Sequence, residues 1–279
     1  MILEQEKRVV KVAILDLYDG YPNQGMRGFH QILQRYKKEH DIDLSYKIYD
    51  VRRDAEVPGT EYDIYISSGG PGSPLDSEGS EWENKYFDLI ERLEAHNASA
   101  DTNKKYVLFV CHSFQLICRK YKLGEVCLRK SPSFGIYPVH KTEAGQNEPI
   151  FEGLADPFYI ADSRKWQVIK PDMQRFEEMG ATLLALEKER PHVPLEPCMM
   201  AIRFSEYFFG TQFHPEADPE GMKQHLLTEE KKKEVIDEHG QEKYDEMMAL
   251  LNDPDKLALT QSILIPNFLS QAIHNLQEA

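Results

Sequence analysis

A doubly wound α/β fold with a mostly parallel central sheet is predicted by three observations. Apolar, β-branched runs alternate with helical patterns over the first 122 residues. Short runs separated by turn residues take over near Gly124. A glycine–proline loop directly follows one of the early apolar runs, the place where such sheets bind ligands.

In chain order, Val9–Tyr18 reads as a strand, and Asn23–His40 as a helix carrying Met26, Phe29, Ile32, Leu33 and Tyr36 on one stripe. Leu44–Val51 and Tyr62–Ser67 are the next strands. Ser80–Asn97 is a helix with Trp82, Tyr86, Leu89, Ile90 and Leu93 at helical spacing. Lys105–Val110 is a buried strand running into a helix from about Ser113 to Lys122. This order of strands and helices argues for parallel strands covered on both faces. Beyond Gly124, Phe134–His140, Pro157–Ile160, Leu183–Glu187, Met199–Phe204 and Tyr207–Phe213 are expected to hairpin against one another and extend the sheet. The tail after Pro215 is helical: Gly221–Asp255 is charged, and Leu257–Leu276 is apolar enough to dock on the sheet. A single domain over 1–279 is expected, with 219–258 as a charged helical insertion or lid.

Composition excludes several classes. The 279 residues are 41% hydrophobic and 10% aromatic, ordinary values for a chain with a substantial core. A net charge of −14 opposes binding to nucleic acid or to anionic membranes. Lys231-Lys232-Lys233 is flanked by glutamates and reads as a solvated helix face. The longest apolar runs are too short to cross a bilayer, and the N-terminus lacks a signal-peptide pattern, so a cytoplasmic protein is expected. The spacing of the four cysteines (111, 118, 127 and 198) fits neither a disulfide framework nor a zinc site. No metal or cofactor is expected, and Cys118 and Cys127 are read as packing residues.

Three segments carry chemistry. Cys111 sits where a strand stops and a helix begins, so its thiol points to the carboxyl edge of the sheet with a helix N-terminus behind it to favour thiolate. Gly69-Gly70-Pro71-Gly72-Ser73-Pro74 lets backbone N–H groups approach a substrate closely and can form an oxyanion hole. In Gly210-Thr211-Gln212-Phe213-His214-Pro215-Glu216, His214 ends an apolar strand and Glu216 stands beside it. A carboxylate on one imidazole nitrogen lets the other take a thiol proton.

The order of GGPGSP, a strand-borne Cys with Gln115 four residues on, and QFHPE resembles the class I glutamine amidotransferases. Spacing agrees, with about forty residues from the glycine loop to Cys111 and about a hundred from Cys111 to His214. Phe134–Val139 and Pro149–Leu154 are similar to further segments of that family. The similarity covers roughly Lys11–Asp218 and Ile263–Ile273. It implies a flavodoxin-like fold and a Cys111–His214–Glu216 triad that cleaves the side-chain amide of glutamine through a γ-glutamyl thioester. It also implies oxyanion donors at the backbone N–H groups of Gly70 and His112, with Gly72 in the same loop and a substrate contact at Gln115. The chain has no phosphate-binding G-x-x-x-x-G-K-[ST] loop, so ammonia would pass to a separate synthetase subunit.

Two departures open alternatives. The family's G-x-C-x-G turn reads Phe109-Val110-Cys111-His112-Ser113 here. Ser113 is small enough to be tolerated, whereas Phe109 is expected to narrow the approach or repack the turn, which leaves a degenerate, ligand-binding or partner-binding domain as one alternative. The adjacent Cys111-His112 pair resembles the PfpI-like family, in which His112 would be the base. A hydrolase of another γ-glutamyl compound is the third. In the segment Asp162–Trp166, which in the family contacts substrate or partner, Trp166 is read as a core residue.

Overall fold

The computed structural model describes residues 8–99, 103–188, 194 and 196–278. Five strands, β1 (Val10–Asp16), β2 (Leu44–Asp50), β3 (Ile64–Ser67), β4 (Tyr106–Val110) and β9 (Phe208–Thr211), pair in parallel in the order β2-β1-β3-β4-β9. From β9 the same sheet continues antiparallel through β8 (Met199–Arg203), β7 (Thr182–Glu187), β5 (Glu125–Lys141) and β6 (Phe158–Ile169). The doubly wound expectation for the first half and the hairpin expectation for the second both match this topology.

Alternate residues of each parallel strand feed opposite faces, as the pleat requires. On β4, Leu108 and Val110 join a core under α1 (Gly25–Glu39) and the last helix, α9 (Leu259–Glu278), with Phe29, Leu33, Leu264 and Phe268. Val107 and Phe109 point the other way, into the core under α2 (Glu81–Ala98) and α3 (His112–Tyr121) with Tyr86, Leu89, Phe114 and Ile117. The α9 helix therefore docks on the sheet through its apolar residues, as its composition predicts.

Two expectations shift. Strands β5 and β6 run 17 and 12 residues, far beyond the short runs expected. Most of the first half of β5 is exposed, so no continuous apolar signal marks it, and only pairing with β6 makes it a strand. After α4 (Glu143–Gln146) and α5 (Met173–Met179), the charged stretch after Pro215 resolves into α6 (Pro219–Leu226), α7 (Glu229–His239) and α8 (Gln241–Asn252). Thr228 caps α7 by accepting from the Lys231 N–H, and Gly240, at φ 88°, separates α7 from α8. These helices bury Leu226, Val235, Tyr244 and Met247 against Ile136 and Ala161, a small apolar core of their own on the β5–β6 arm. Among the described residues no helix is long and apolar enough to span a membrane.

Candidate active site

Parallel pairing brings the carboxyl ends of β1, β3, β4 and β9 to one edge, and register decides which residues meet there. Ser67 lies opposite Phe109 and Val110 opposite Thr211, so Gly69 and Gln212 fall on either side of Cys111. The Cys111 N–H donates to the Thr211 carbonyl at 2.8 Å, the last rung between β4 and β9. Cys111 then turns to φ 51°, ψ −97°, a conformation a β-carbon rarely adopts, and α3 starts at the next residue. Strain of this kind lifts the side chain out of the sheet. Cys111 is 5% exposed and borders two adjoining open spaces.

His214 follows the end of β9. Its backbone N–H donates to the Ala161 carbonyl at 3.2 Å, an isolated bridge to β6 that fixes where the ring begins. The ring's Nδ1 is 2.8 Å from Glu216 Oε1, which leaves Nε2 available, and the ring sits beside Cys111: a β-carbon at Gly69 would lie 2.8 Å from His214 Cε1 and 3.5 Å from the Cys111 β-carbon. Burial pushes the imidazolium down. The Glu216 carboxylate, the Cys111 charge and the hydrogen bonds to both more than offset it, and the pKa stands well above 6.5. Glu216 is fully buried, and its Oε2 has no hydrogen-bond partner.

The glycine loop frames the other side. Gly70 and Gly72 border a cavity of about 720 Å³ together with Cys111, His112 and Gln115, the residues singled out from sequence. Gln115 Nε2 donates to the Trp166 carbonyl at 3.2 Å and to Gln212 Oε1 at 3.1 Å, and Gln212 Nε2 lies 3.9 Å from the Cys111 sulfur. The outer wall comes from α7, whose Lys231, Glu234, Val235, Glu238 and His239 face the cavity. His239 stacks on Phe134 with ring centroids 5.3 Å apart. Two expectations are corrected here. Lys231 is not on a solvated face but turns in beside Glu234, and Trp166 is a half-buried cavity wall rather than a core residue, because β6 runs along the mouth of the site.

Phe109 does not narrow the approach. Its side chain leaves the opposite face of the sheet and packs edge-on against Phe204 and Phe208 at 5.7 and 5.9 Å. Room comes from Gly210, its partner across β4–β9, where an added β-carbon would lie 2.8 Å from Phe204 and 3.3 Å from the Phe109 β-carbon. The small residue has moved one strand over. Ser113 also contributes, accepting from the Val110 N–H at 2.8 Å and donating to the Ser67 carbonyl at 2.9 Å, which ties the elbow to β3. Phe109→Ala is expected to cost about 3–5 kcal/mol through the cavity left in the far core. Thermal unfolding should register this as a fall of roughly 10 °C.

His112 occupies the first turn of α3, 2% exposed, with Nε2 lacking a partner. Burial, then the nearby Arg52 and Arg119, lower its pKa to about 3. A ring held neutral with that nitrogen unpartnered has none of the carboxylate support that His214 has.

Sequence reading missed four supports. Arg52 Nη1 donates to the Pro71 carbonyl at 2.6 Å, and Arg119 Nη1 to the Pro74 carbonyl at 2.6 Å, so two carbonyls of the glycine loop are tied from behind. Tyr18, just past β1, has its hydroxyl 3.3 Å from where a Gly69 β-carbon would be. Burial first, then the charges of Glu216 and Cys111, hold that phenol well above its ordinary pKa, so it remains a donor. Gly28 lets α1 approach the Glu216 backbone, since a β-carbon there would fall on the Glu216 carbonyl oxygen. Only Gly28 carried a signal, as a glycine inside an apolar helical stripe. Cys118 and Cys198 are fully buried packing residues and Cys127 is half-buried; all four cysteines are free thiols. Among the described residues no cluster of three or more His, Cys, Asp or Glu could hold a metal.

A sequence profile of the family described as "Glutamine amidotransferase class-I" matches residues 26–233. A curated relative, "Homoserine O-acetyltransferase" from Catenibacterium mitsuokai, is 24% identical over 201 residues, 72% of this chain but only 58% of the relative's length. Among solved structures, a glutamine amidotransferase from Thermotoga maritima superposes with a TM-score of 0.65 at 17% identity, over 95% of this chain and 98% of that one. The glutaminase domain of Trypanosoma brucei CTPS with bound acivicin gives 0.58 at 12% identity, over 95% and 94%. At these identities the superpositions show a shared fold.

Proposed function

The chain belongs to the class I glutamine amidotransferase family, and from that membership we propose that it hydrolyses the side-chain amide of glutamine through a thioester on Cys111. The observation that carries this reading is His214, held through Nδ1 by buried Glu216 at 2.8 Å with its ring beside Cys111, next to open space at the thiol. In the proposed sequence the Cys111 sulfur attacks the amide carbon. The developing oxyanion meets the backbone N–H groups of Gly70 and His112, which need no reorganisation because the Arg52 and Arg119 contacts already hold the loop. His214 returns the thiol proton to the leaving ammonia, and then activates the water that releases glutamate.

The cavity of about 720 Å³ holds the substrate in this reading, with Gln115 at its floor and the 219–258 segment as its roof. Lys231, Glu234 and Glu238 on α7 present both signs of charge, which suits the zwitterionic end of glutamine. Ammonia leaves for a synthetase carried on another chain.

An acyl-transfer reading, with a different acyl group on the same sulfur, draws on the likeness to the Catenibacterium homoserine O-acetyltransferase. One experiment separates the two. A diazo-ketone analogue of glutamine is expected to add its mass to Cys111, with glutamine suppressing the reaction. Labelling that glutamine does not compete with removes glutamine as the substrate, and no labelling of a folded protein leaves a binding domain.

A further inference from the structure

Cys111 borders two adjoining cavities, and they differ in what else lines them. His214, Glu216 and Tyr18 border the second, of about 470 Å³, and not the larger one. Beside Cys111, the Tyr18 hydroxyl and the His214 Cε1 lie 3.3 and 2.8 Å from the point where a Gly69 β-carbon would stand, and glycine leaves that point empty. The division has a chemical meaning. In the proposed triad, the nitrogen that leaves when Cys111 attacks an amide takes its proton from His214. Whatever that nitrogen carries therefore lies on the His214 side, in the second cavity. A departing ammonia, close to water in size, needs about 30 Å³. The space there is more than ten times larger.

We propose that this cavity binds a group carried on the amide nitrogen of the substrate, and that the substrate class is γ-glutamyl amides with an uncharged, apolar N-substituent. The proposal rests on the Cys111 thioester chemistry of the glutaminase reading, and glutamine is the smallest member of the class. Charge selects the substituent. Each carboxylate of the lining already has a partner: Asp218 holds Arg27 at 2.8 Å, Asp162 holds Arg164 at 2.9 Å, and Glu216 faces His214 Nδ1 at 2.8 Å. A charged substituent of either sign would enter this partly enclosed space as an unmatched ion, which is costly. Uncharged surface is what the lining offers instead: Tyr18, Tyr21, Phe134, Met222, Pro22 and Ala217 present rings and alkyl groups. Removing an apolar substituent from water against them is favourable in proportion to its area.

The reaction balances with water as its one co-reactant. The Cys111 sulfur bonds to the γ-carbonyl carbon while the thiol proton passes to His214. That proton goes on to the amide nitrogen, the carbon–nitrogen bond breaks, and the amine departs neutral. Water then bonds to the thioester carbon and gives one proton, through His214, to the departing sulfur. The carboxylic acid so formed ionises, and in solution the released amine takes up that last proton. One γ-glutamyl amide and one water give glutamate, the amine and the free Cys111 thiol.

The test presents the full chain with γ-glutamyl-benzylamide, glutamine and γ-glutamylglycine, and quantifies released glutamate by mass spectrometry. Benzylamine and ammonia are leaving groups of similar basicity, so a difference between their amides reports the binding of the substituent. γ-Glutamylglycine places a carboxylate in the same space. The kcat/KM for the benzylamide is expected to exceed the values for both other substrates by at least about tenfold. Met222→Trp, which adds an indole to the cavity, is expected to lower the benzylamide-to-glutamine ratio about tenfold, and a ratio is insensitive to any loss of folded protein. A benzylamide no better than glutamine, a γ-glutamylglycine as good as the benzylamide, or a ratio that ignores Met222→Trp overturns the proposal while leaving the glutaminase intact. Absence of glutamate from all three substrates, together with no diazo-ketone adduct at Cys111, overturns the glutaminase reading and the proposal with it.

Discussion

Cys111→Ala and His214→Ala proteins are expected to release ammonia from glutamine more slowly than the native chain by a factor on the order of 10⁴ or more, and by similar amounts. The similarity is the informative part. In the proposed triad nucleophile and base act as one unit, so losing either forfeits nearly the whole contribution of both. His112→Ala is expected to lose far less, because it keeps the backbone N–H that the oxyanion needs and removes a ring that burial holds neutral. A coupled glutamate assay on the three proteins checks this. Activity that survives His214→Ala but dies with His112→Ala would establish the PfpI-like pairing and discard the triad.

Glu216→Gln is the second large effect. The carboxylate holds His214 through Nδ1 at 2.8 Å and is the strongest of the influences that raise the imidazole pKa. An amide can present the wrong group to Nδ1 and select the wrong tautomer, which is expected to lower kcat by about 10⁴. The His214 pKa should fall in the same variant, visible in the ring-proton titration by NMR. Stability follows with a definite sign. A histidine whose folded pKa is raised contributes stability that is complete below its unfolded value, near about 6.5, and is lost as pH rises through the folded value. The gap in melting temperature between native and Glu216→Gln proteins is therefore expected to be widest at low pH and to shrink upward. A gap that widens with pH would mean that Glu216 does not face a protonated His214.

The departures at the elbow show how one fold accommodates a different turn. The glycine that the family carries two residues before its cysteine is replaced by Phe109 here, and Gly210 on the adjacent strand makes the space. The residue after α3 begins is serine rather than glycine, and its hydroxyl joins β4 to β3. Sequence alone pointed to obstruction because it shows which residue is large, but not which face of the sheet receives it.

The sequence by itself determined the α/β layering, the strand-borne cysteine, the glycine loop and the histidine–carboxylate pair. These are local signals: periodicity, turn chemistry and residue type within a few positions of one another. Tertiary structure alone decided that Arg52 and Arg119 brace the loop, that Tyr18 and Gly28 crowd against Glu216, that α7 overhangs the larger cavity, and that Cys111 borders two cavities. Each of these depends on strand register and helix packing between segments tens to hundreds of residues apart. No residue type encodes such a distance; it is fixed by which surfaces bury one another.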